Sequence, residues 1–265
     1  MQLNKKDLKF SHLRCISYRK RILDISRKVS ALHIGGSFSC VEIMDVLFSL
    51  IMSNKEKNFF VLSKGHASIL QYVILEKQKI ISRKILESYC TKKGILGVHP
   101  DIGNPGINAS TGSLGHGLAL TAGMALAEKD KSNIFYILIS DGELQEGSTW
   151  EAVLAIGALN INNIILIVDN NNLQSFGYTN ETHANLYPIE KKFRSFGWDS
   201  ILCDGHNVSS IYKNIKKKKN NKPLALVAKT IKGYPISFMK NKAIWHYKSP
   251  SQDEYLKAIK ELDEK

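Results

Sequence analysis

The sequence predicts an α/β protein built on a mostly parallel sheet with helices on both faces. Two apolar runs, Ile134–Ser140 and Ile164–Asp169, lack polar alternation, as strands buried on both faces do. Longer helical stretches separate such runs, and strand and helix alternate through most of the chain, the pattern of parallel crossovers. The 265 residues, 43% of them hydrophobic, supply ample core. We therefore expect residues 1–265 to form a single domain with a short C-terminal helical tail, 251–265.

Taken in order, Asp7 to about Leu32 reads as a helix, with Leu13, Ile16, Ile22, Ile25 and Val29 on one stripe. Gly35-Gly36 is expected to break it. Ser39 followed by Glu42 has the capping-box spacing and should open a helix through Ile51. Phe59–Leu62 is a short strand, and Gln71–Lys79 and Ile81–Lys92 read as helices. A loop containing Gly and Pro runs from Gly94 to His116. Gly117–Lys129 is a helix loaded with small residues (Ala119, Ala122, Gly123, Ala125, Ala127), which predicts close backbone approach. Ser148–Leu159 is the helix between the two buried strands. Helices Ile189–Phe196 and Ser209–Lys218 and strands Asp199–Cys203 and Leu224–Thr230 follow. Ser251 with Glu254 caps a final helix.

Composition excludes several classes. No apolar run approaches the roughly 20 residues of a membrane span, and nothing resembling a signal peptide follows Met1-Gln2-Leu3-Asn4-Lys5-Lys6. Cys15, Cys40, Cys90 and Cys203 are scattered without a CxxC pair, so reduced, packed thiols in a cytoplasmic protein are expected, and a zinc site is not. The formal charge of +13 admits an anionic partner, but no nucleic-acid-binding pattern accompanies it, and a Lys-, Ile- and Asn-rich bias explains it. The run Lys216–Lys219 closes a predicted helix, where cations favour the C-terminus and water. Gly115-His116-Gly117 lacks dinucleotide-loop spacing.

The chemistry is carried by Asp141-Gly142 after one buried strand and Asn170-Asn171 after the next. A six-residue strand spans about 20 Å and a twelve-residue helix about 18 Å. The return helix therefore brings both strand ends to one edge of the sheet, where open α/β sheets bind ligands. Asp141 offers an anionic oxygen, Asn171 an amide oxygen and Leu173 a carbonyl, a small oxygen set suited to Mg2+. Gly142 lets a diphosphate approach the backbone. A strand-end Asp capping the next helix and Asn residues forming a turn would explain either piece alone.

Ser140-Asp141-Gly142 through Asn170-Asn171 resembles the thiamine diphosphate motif, a GDG triplet followed some thirty residues later by an Asn pair. The surroundings resemble the N-terminal, diphosphate-binding domain of transketolase in order: Ser63-Lys64-Gly65-His66-Ala67, Gly97-Val98-His99-Pro100, Ser110 to Gly117, Gly142-Glu143-Leu144-Gln145-Glu146-Gly147 and Trp245-His246. Ser140 departs from the usual first Gly but removes no ligand. The resemblance implies thiamine diphosphate with Mg2+ (or Ca2+/Mn2+), the metal held by Asp141, Asn171 and the Leu173 carbonyl. It implies that Gly142, His66 and His246 contact the diphosphate and that Gly112 and Leu114 lie near the aminopyrimidine. It places the catalytic His33, His99 and His246 along the substrate channel and Glu146 in the acidic network between sites. His12, His116, His183 and His206 match no such role and are expected to be structural.

Full transketolases carry further domains, including one that binds the aminopyrimidine and supplies the carboxylate needed to deprotonate the thiazolium carbon. No residue of this chain replaces that carboxylate. The resemblance thus implies the N-terminal subunit of a split transketolase, partnered in an α2β2 assembly by a separate C-terminal subunit with the pyrimidine domain. It would move a two-carbon ketol unit from a ketose (phosphate) donor to an aldose acceptor, without membrane or nucleic-acid partners. The alternatives are the α-subunit of a 2-oxo acid dehydrogenase and a non-catalytic subunit that binds thiamine diphosphate without turnover.

Overall fold

The computed structural model describes residues 3–52, 58–128, 132–219 and 221–265. Five parallel strands form one sheet in the order β1-β2-β3-β5-β4: β1 Asn58–Leu62, β2 Ile134–Ser140, β3 Ile164–Asn170, β4 Asp199–Asp204 and β5 Leu224–Lys229. Helices α1 (Lys5–Ser26), α2 (Ile34–Ser39) and α3 (Val41–Asp45) precede the sheet, and α4 (Ser68–Lys77), α5 (Arg83–Glu87) and α6 (Gly117–Ala127) follow β1. Next in order come α7 (Gly147–Ala158), α8 (Thr179–Thr182), α9 (Ile189–Ser195), α10 (Val208–Lys216) and α11 (Gln252–Asp263).

Period-two alternation divides β1, β2, β3 and β5 between two cores, while the edge strand β4 faces only the first. Tyr136, Leu138, Ile165, Ile167, Leu224 and Leu226 pack with α1 to α5, α10 and α11. Phe135, Ile137, Ile139, Leu166, Val168 and Val227 pack with α6, α7 and α9 on the other face. The predicted two-sided parallel sheet is what forms, and Ser140 sits in register with Asp169. The α11 capping box is present. Among the described residues no helix is long and apolar enough to cross a membrane, and all four cysteines are free, three of them buried.

Four expectations need correction. Gly35-Gly36 does not break a helix but lies inside α2; a Cβ on Gly35 would meet the Trp245 carbonyl oxygen at 2.7 Å, so glycine is needed for close approach. Ser39 is not a cap. Its hydroxyl donates to the Gly36 carbonyl and to Asp169 Oδ2 (2.6 Å), Glu42 is drawn to Arg19, and α3 starts after Cys40 without a side-chain cap, running into a π-turn at Val46–Ile51. Ile81–Lys92 contains only the short α5, capped by Ser82. On α6 Gly117, Ala125 and the half-buried Ala122 pack inward (a Cβ on Gly117 would meet Ser63 Oγ at 2.2 Å), whereas Ala119, Gly123 and Ala127 face outward. Lys129, the last residue predicted for that helix, lies outside the described residues.

Ile167 is fully buried at the centre of the sheet. Ile167→Ala should destabilise the fold by about 2–5 kcal/mol in urea unfolding through lost transfer energy and a residual cavity; a loss below about 1 kcal/mol would contradict the packing described.

Candidate functional site

Four adjacent strand ends meet at the carboxyl edge of the sheet. β1 leads into Lys64 and a 3-10 turn carrying His66, and β2 into Asp141 and Gly142. β3 leads into Asn171–Leu173, and β5 into Thr230–Lys232. Between them is a cavity of about 290 Å³, lined by Lys64, His66, Leu114, Asp141, Gly142, Glu146, Asn171, Leu173, Lys232 and His246 among others. A Cβ built on Gly142 would be in ordinary contact with Gln174 Oε1 at 3.7 Å, so the backbone there is not crowded.

The two strand tips are wired to each other. Asp141 Oδ1 accepts from the Gly142 N–H (2.9 Å), and Oδ2 accepts from the Asn172 N–H. Asn171 Oδ1 accepts from the Leu173 N–H (3.1 Å). Asn172 adopts a left-handed φ of 58°, a conformation that Asn tolerates better than most residues. Its side-chain oxygen accepts from Thr179 Oγ1 (3.0 Å) and the Asn180 N–H (3.0 Å). Asp141 therefore does cap a turn and the second Asn of the pair does build one, but both serve to present Asp141 and Asn171 to the cavity. Ser140 contributes too: its hydroxyl accepts from the Glu143 N–H (3.2 Å), stabilising the turn after β2.

Beneath this layer Lys64 and Asp169, both fully buried, form an ion pair. Lys64 also donates to the Gly36 carbonyl (2.8 Å), while Asp169 accepts from Ser39, Thr230 and Asn171 Nδ2 (3.3 Å). Burial and the nearby Asp169 charge push the Asp141 carboxyl up to about 7, against the pull of two backbone N–H groups and Lys64. A carboxylate held this way is short of positive charge. Its Oδ1, Asn171 Oδ1 and the Leu173 carbonyl each carry one protein hydrogen bond, leaving lone pairs for a cation, while Oδ2 accepts from both the Asn172 N–H and Thr179 Oγ1 (3.5 Å). Among the described residues no group of three or more His, Cys, Asp or Glu is placed to hold a metal. A carboxylate, an amide and a carbonyl suit Mg2+, which takes few protein ligands and keeps room for phosphate oxygens.

The histidines divide. His33, His66 and His246 form a cluster with ring centroids 5.2, 5.3 and 5.6 Å apart. His66 and His246 line the cavity; His33 lies behind them, its Nδ1 buried without a hydrogen-bond partner among the described residues. Burial, then His99, Lys232 and Lys64, lower His33 to about 4. Burial, then Lys232, His33 and Lys64, lower His246 to about 3, and burial with Lys64 holds His66 well below its usual value. All three are neutral imidazoles at physiological pH, able to donate at one nitrogen and accept at the other. His99 is exposed and does not line the cavity; it adjoins the cluster across Gly112, on which a Cβ would meet the His99 ring at 2.9 Å. Gly112 thus backs His99 and does not line the cavity either, whereas Leu114 does. Glu146 is exposed at the cavity rim.

Three residues of the site were missed from the sequence: Lys64, Asp169 and Lys232. Lys232 is buried, and its Nζ donates to the Leu173 carbonyl oxygen (2.8 Å) and to His246 Nδ1 (2.8 Å). The signal that singled out Asp141, a polar residue just past a buried strand, applies equally to Lys64 and Lys232. His206, expected to be structural, is engaged on both ring nitrogens away from the cavity.

Residues 12–262 match the family described as transketolase, thiamine diphosphate binding domain. Over 258 residues the chain is 36% identical to an apulose-4-phosphate transketolase subunit of Phocaeicola vulgatus, covering 93% of this chain and 92% of that one. Identity is 33% over 257 residues with the 6-deoxy-6-sulfo-D-fructose transketolase subunit SqwG of a Clostridium species, covering 92% and 93%. The solved transketolase of Leishmania mexicana superimposes with a TM-score of 0.88 at 22% identity, covering 96% of this chain and 41% of that one. At that identity the likeness shows the fold, and the chain spans about two-fifths of that enzyme.

Because the folded pKa values of His33 and His246 lie below the unfolded value, the unfolded chain binds the extra protons. These two groups therefore subtract stability as pH falls from about 6.5 toward 4 and 3, and cost nothing above that window. An NMR titration of the imidazoles should place the His33 midpoint near pH 4; a midpoint near the ordinary value would contradict the desolvated cluster.

Proposed function

The chain belongs to the thiamine diphosphate-binding family of transketolases, and from that premise we propose that it is the diphosphate-binding subunit of a two-component transketolase. The observation that carries this reading is the shared cavity onto which Asp141, Asn171, Leu173, His66, Lys232 and His246 all open. The relatives that cover nearly their full length with this chain are named as subunits, which supports a separate partner. They are named transketolases, which favours ketol transfer over 2-oxo acid decarboxylation and over a subunit without turnover.

In this reading residues 1–265 act as one diphosphate-binding unit. Asp141, Asn171 and the Leu173 carbonyl hold Mg2+, and His66, His246, the Gly142 backbone and the Lys232 ammonium receive the diphosphate. Leu114 lies against the cofactor, and Gly112 acts by seating His99. Bound thiamine diphosphate supplies the nucleophilic carbon and electron sink on which a ketose C–C bond is broken and remade. His33, His99 and His246 orient sugar hydroxyls and take or return their protons, for which neutral imidazoles are suited. Lys232 donates to the Leu173 carbonyl, one of the oxygens that would hold the metal, and would supply positive charge to the diphosphate. The partner brings the pyrimidine domain and its carboxylate, in an α2β2 assembly with Glu146 at the rim between sites. Sugar phosphates fit a site this rich in cations and imidazoles. Four free cysteines favour a cytoplasmic setting.

Asp141→Ala should weaken Mg2+-dependent thiamine diphosphate binding by about 100-fold or more in calorimetric titration; unchanged affinity would remove Asp141 from the metal site. In the assembled enzyme, His66→Ala should chiefly raise the cofactor concentration needed for activity. His33→Ala should instead lower turnover by about 100-fold or more with cofactor affinity retained. Equal effects of both variants on both quantities would undo this division of roles.

A further inference from the structure

Lys232 reaches the cavity from the middle of a segment, Thr230 to Tyr234, gripped on both sides by one buried network. His206 Nε2 accepts from the Ile231 N–H (2.9 Å) on one side of Lys232. Arg19 Nε donates to the Tyr234 carbonyl (3.0 Å) on the other. Glu42 joins the two: its carboxylate accepts from Arg19 through both oxygens (2.7 and 2.8 Å), and Oε2 lies 3.0 Å from His206 Nδ1. The His206 ring also stacks on Tyr234, with centroids 3.9 Å apart. None of Arg19, Glu42 or His206 lines the cavity.

The hydrogen bonds fix the protonation pattern. Nε2 receives an N–H and must be bare, so a neutral His206 carries its proton on Nδ1 and donates it to Glu42. One tautomer thus anchors the Ile231 backbone. A lysine on a four-carbon stem can extend its ammonium to water; the grip on both sides, with the Asn241 N–H on the Lys232 carbonyl (3.0 Å) and the Gly233 N–H on the Gly35 carbonyl (3.0 Å), holds the segment from which Lys232 is aimed at Leu173 and His246.

We propose that Arg19, Glu42 and His206 form a clamp that places the Lys232 ammonium in the diphosphate cavity, making His206 a positioning residue for anion binding. This rests on the reading of the cavity as a Mg2+–diphosphate site. It concerns residues on α1, α3 and the β4–α10 connection, none of which touches the ligand.

The test is calorimetric titration of the full chain with inorganic diphosphate and Mg2+, with circular dichroism and thermal melting to verify folding. Lys232→Met and His206→Phe should each weaken binding by about ten-fold, the worth of one charge-assisted hydrogen bond. The double variant should bind no more weakly than Lys232→Met alone, because His206 acts through that lysine. His206→Gln, whose amide oxygen can accept the Ile231 N–H, should recover binding to within about three-fold of wild type. Should the phenyl ring prevent folding, His206→Leu serves as the apolar variant. Losses that multiply in the double variant, or a folded apolar variant that binds like wild type while Lys232→Met is impaired, overturn the clamp alone. No diphosphate binding by the wild type, or full binding by Lys232→Met, overturns the cavity reading and the clamp with it.

Discussion

The site depends on a buried ion pair. Lys64 at the end of β1 and Asp169 at the end of β3 flank the β2 tip, and both are fully withdrawn from water. Such a pair is retained only when further hydrogen bonds complete it; losing one partner leaves an uncompensated charge. Here the completion recruits the whole edge: Gly36 and Ser39 from α2, Thr230 after β5 and Asn171 after β3. A single electrostatic contact thereby fixes the relative positions of the elements that carry the proposed ligands.

That pair also sets the electrical character of the cavity. Burial chiefly keeps the three imidazoles neutral; Lys64 adds to it most at His66, and behind His99 and Lys232 at His33 and behind Lys232 and His33 at His246. Asp141 is shifted the other way: burial first, and then the Asp169 charge, raise its carboxyl to about 7, so the anionic form calls for a compensating cation. A cavity with one carboxylate in need of positive charge and two ammonium groups beside it is suited to a metal bridged to an anion. Neutral histidines alongside can exchange protons with a sugar without first losing one of their own.

Much of this was legible in the sequence because the strands are buried on both faces and read as unbroken apolar runs. Their ends could then be located, and Asp141 and Asn171 followed from matched strand and helix lengths. What failed depended on tertiary contact. Gly35 and Gly36 look like breakers until Trp245 packs against the helix that holds them, and Ser39 looks like a cap until Asp169 claims its hydroxyl. Lys64 and Lys232 are ordinary lysines in a chain with 37 basic residues; only the fold shows them buried. The histidines were assigned by resemblance, and the structure gathers three of them while leaving His99 exposed beside the cluster.

The most direct test is a crystal structure of the chain with thiamine diphosphate and Mn2+, using anomalous scattering to locate the metal. One anomalous peak is expected, bound by Asp141, Asn171 and the Leu173 carbonyl, with the diphosphate against it. A metal at other ligands, or a diphosphate seated away from the β2 and β3 tips, would contradict that assignment.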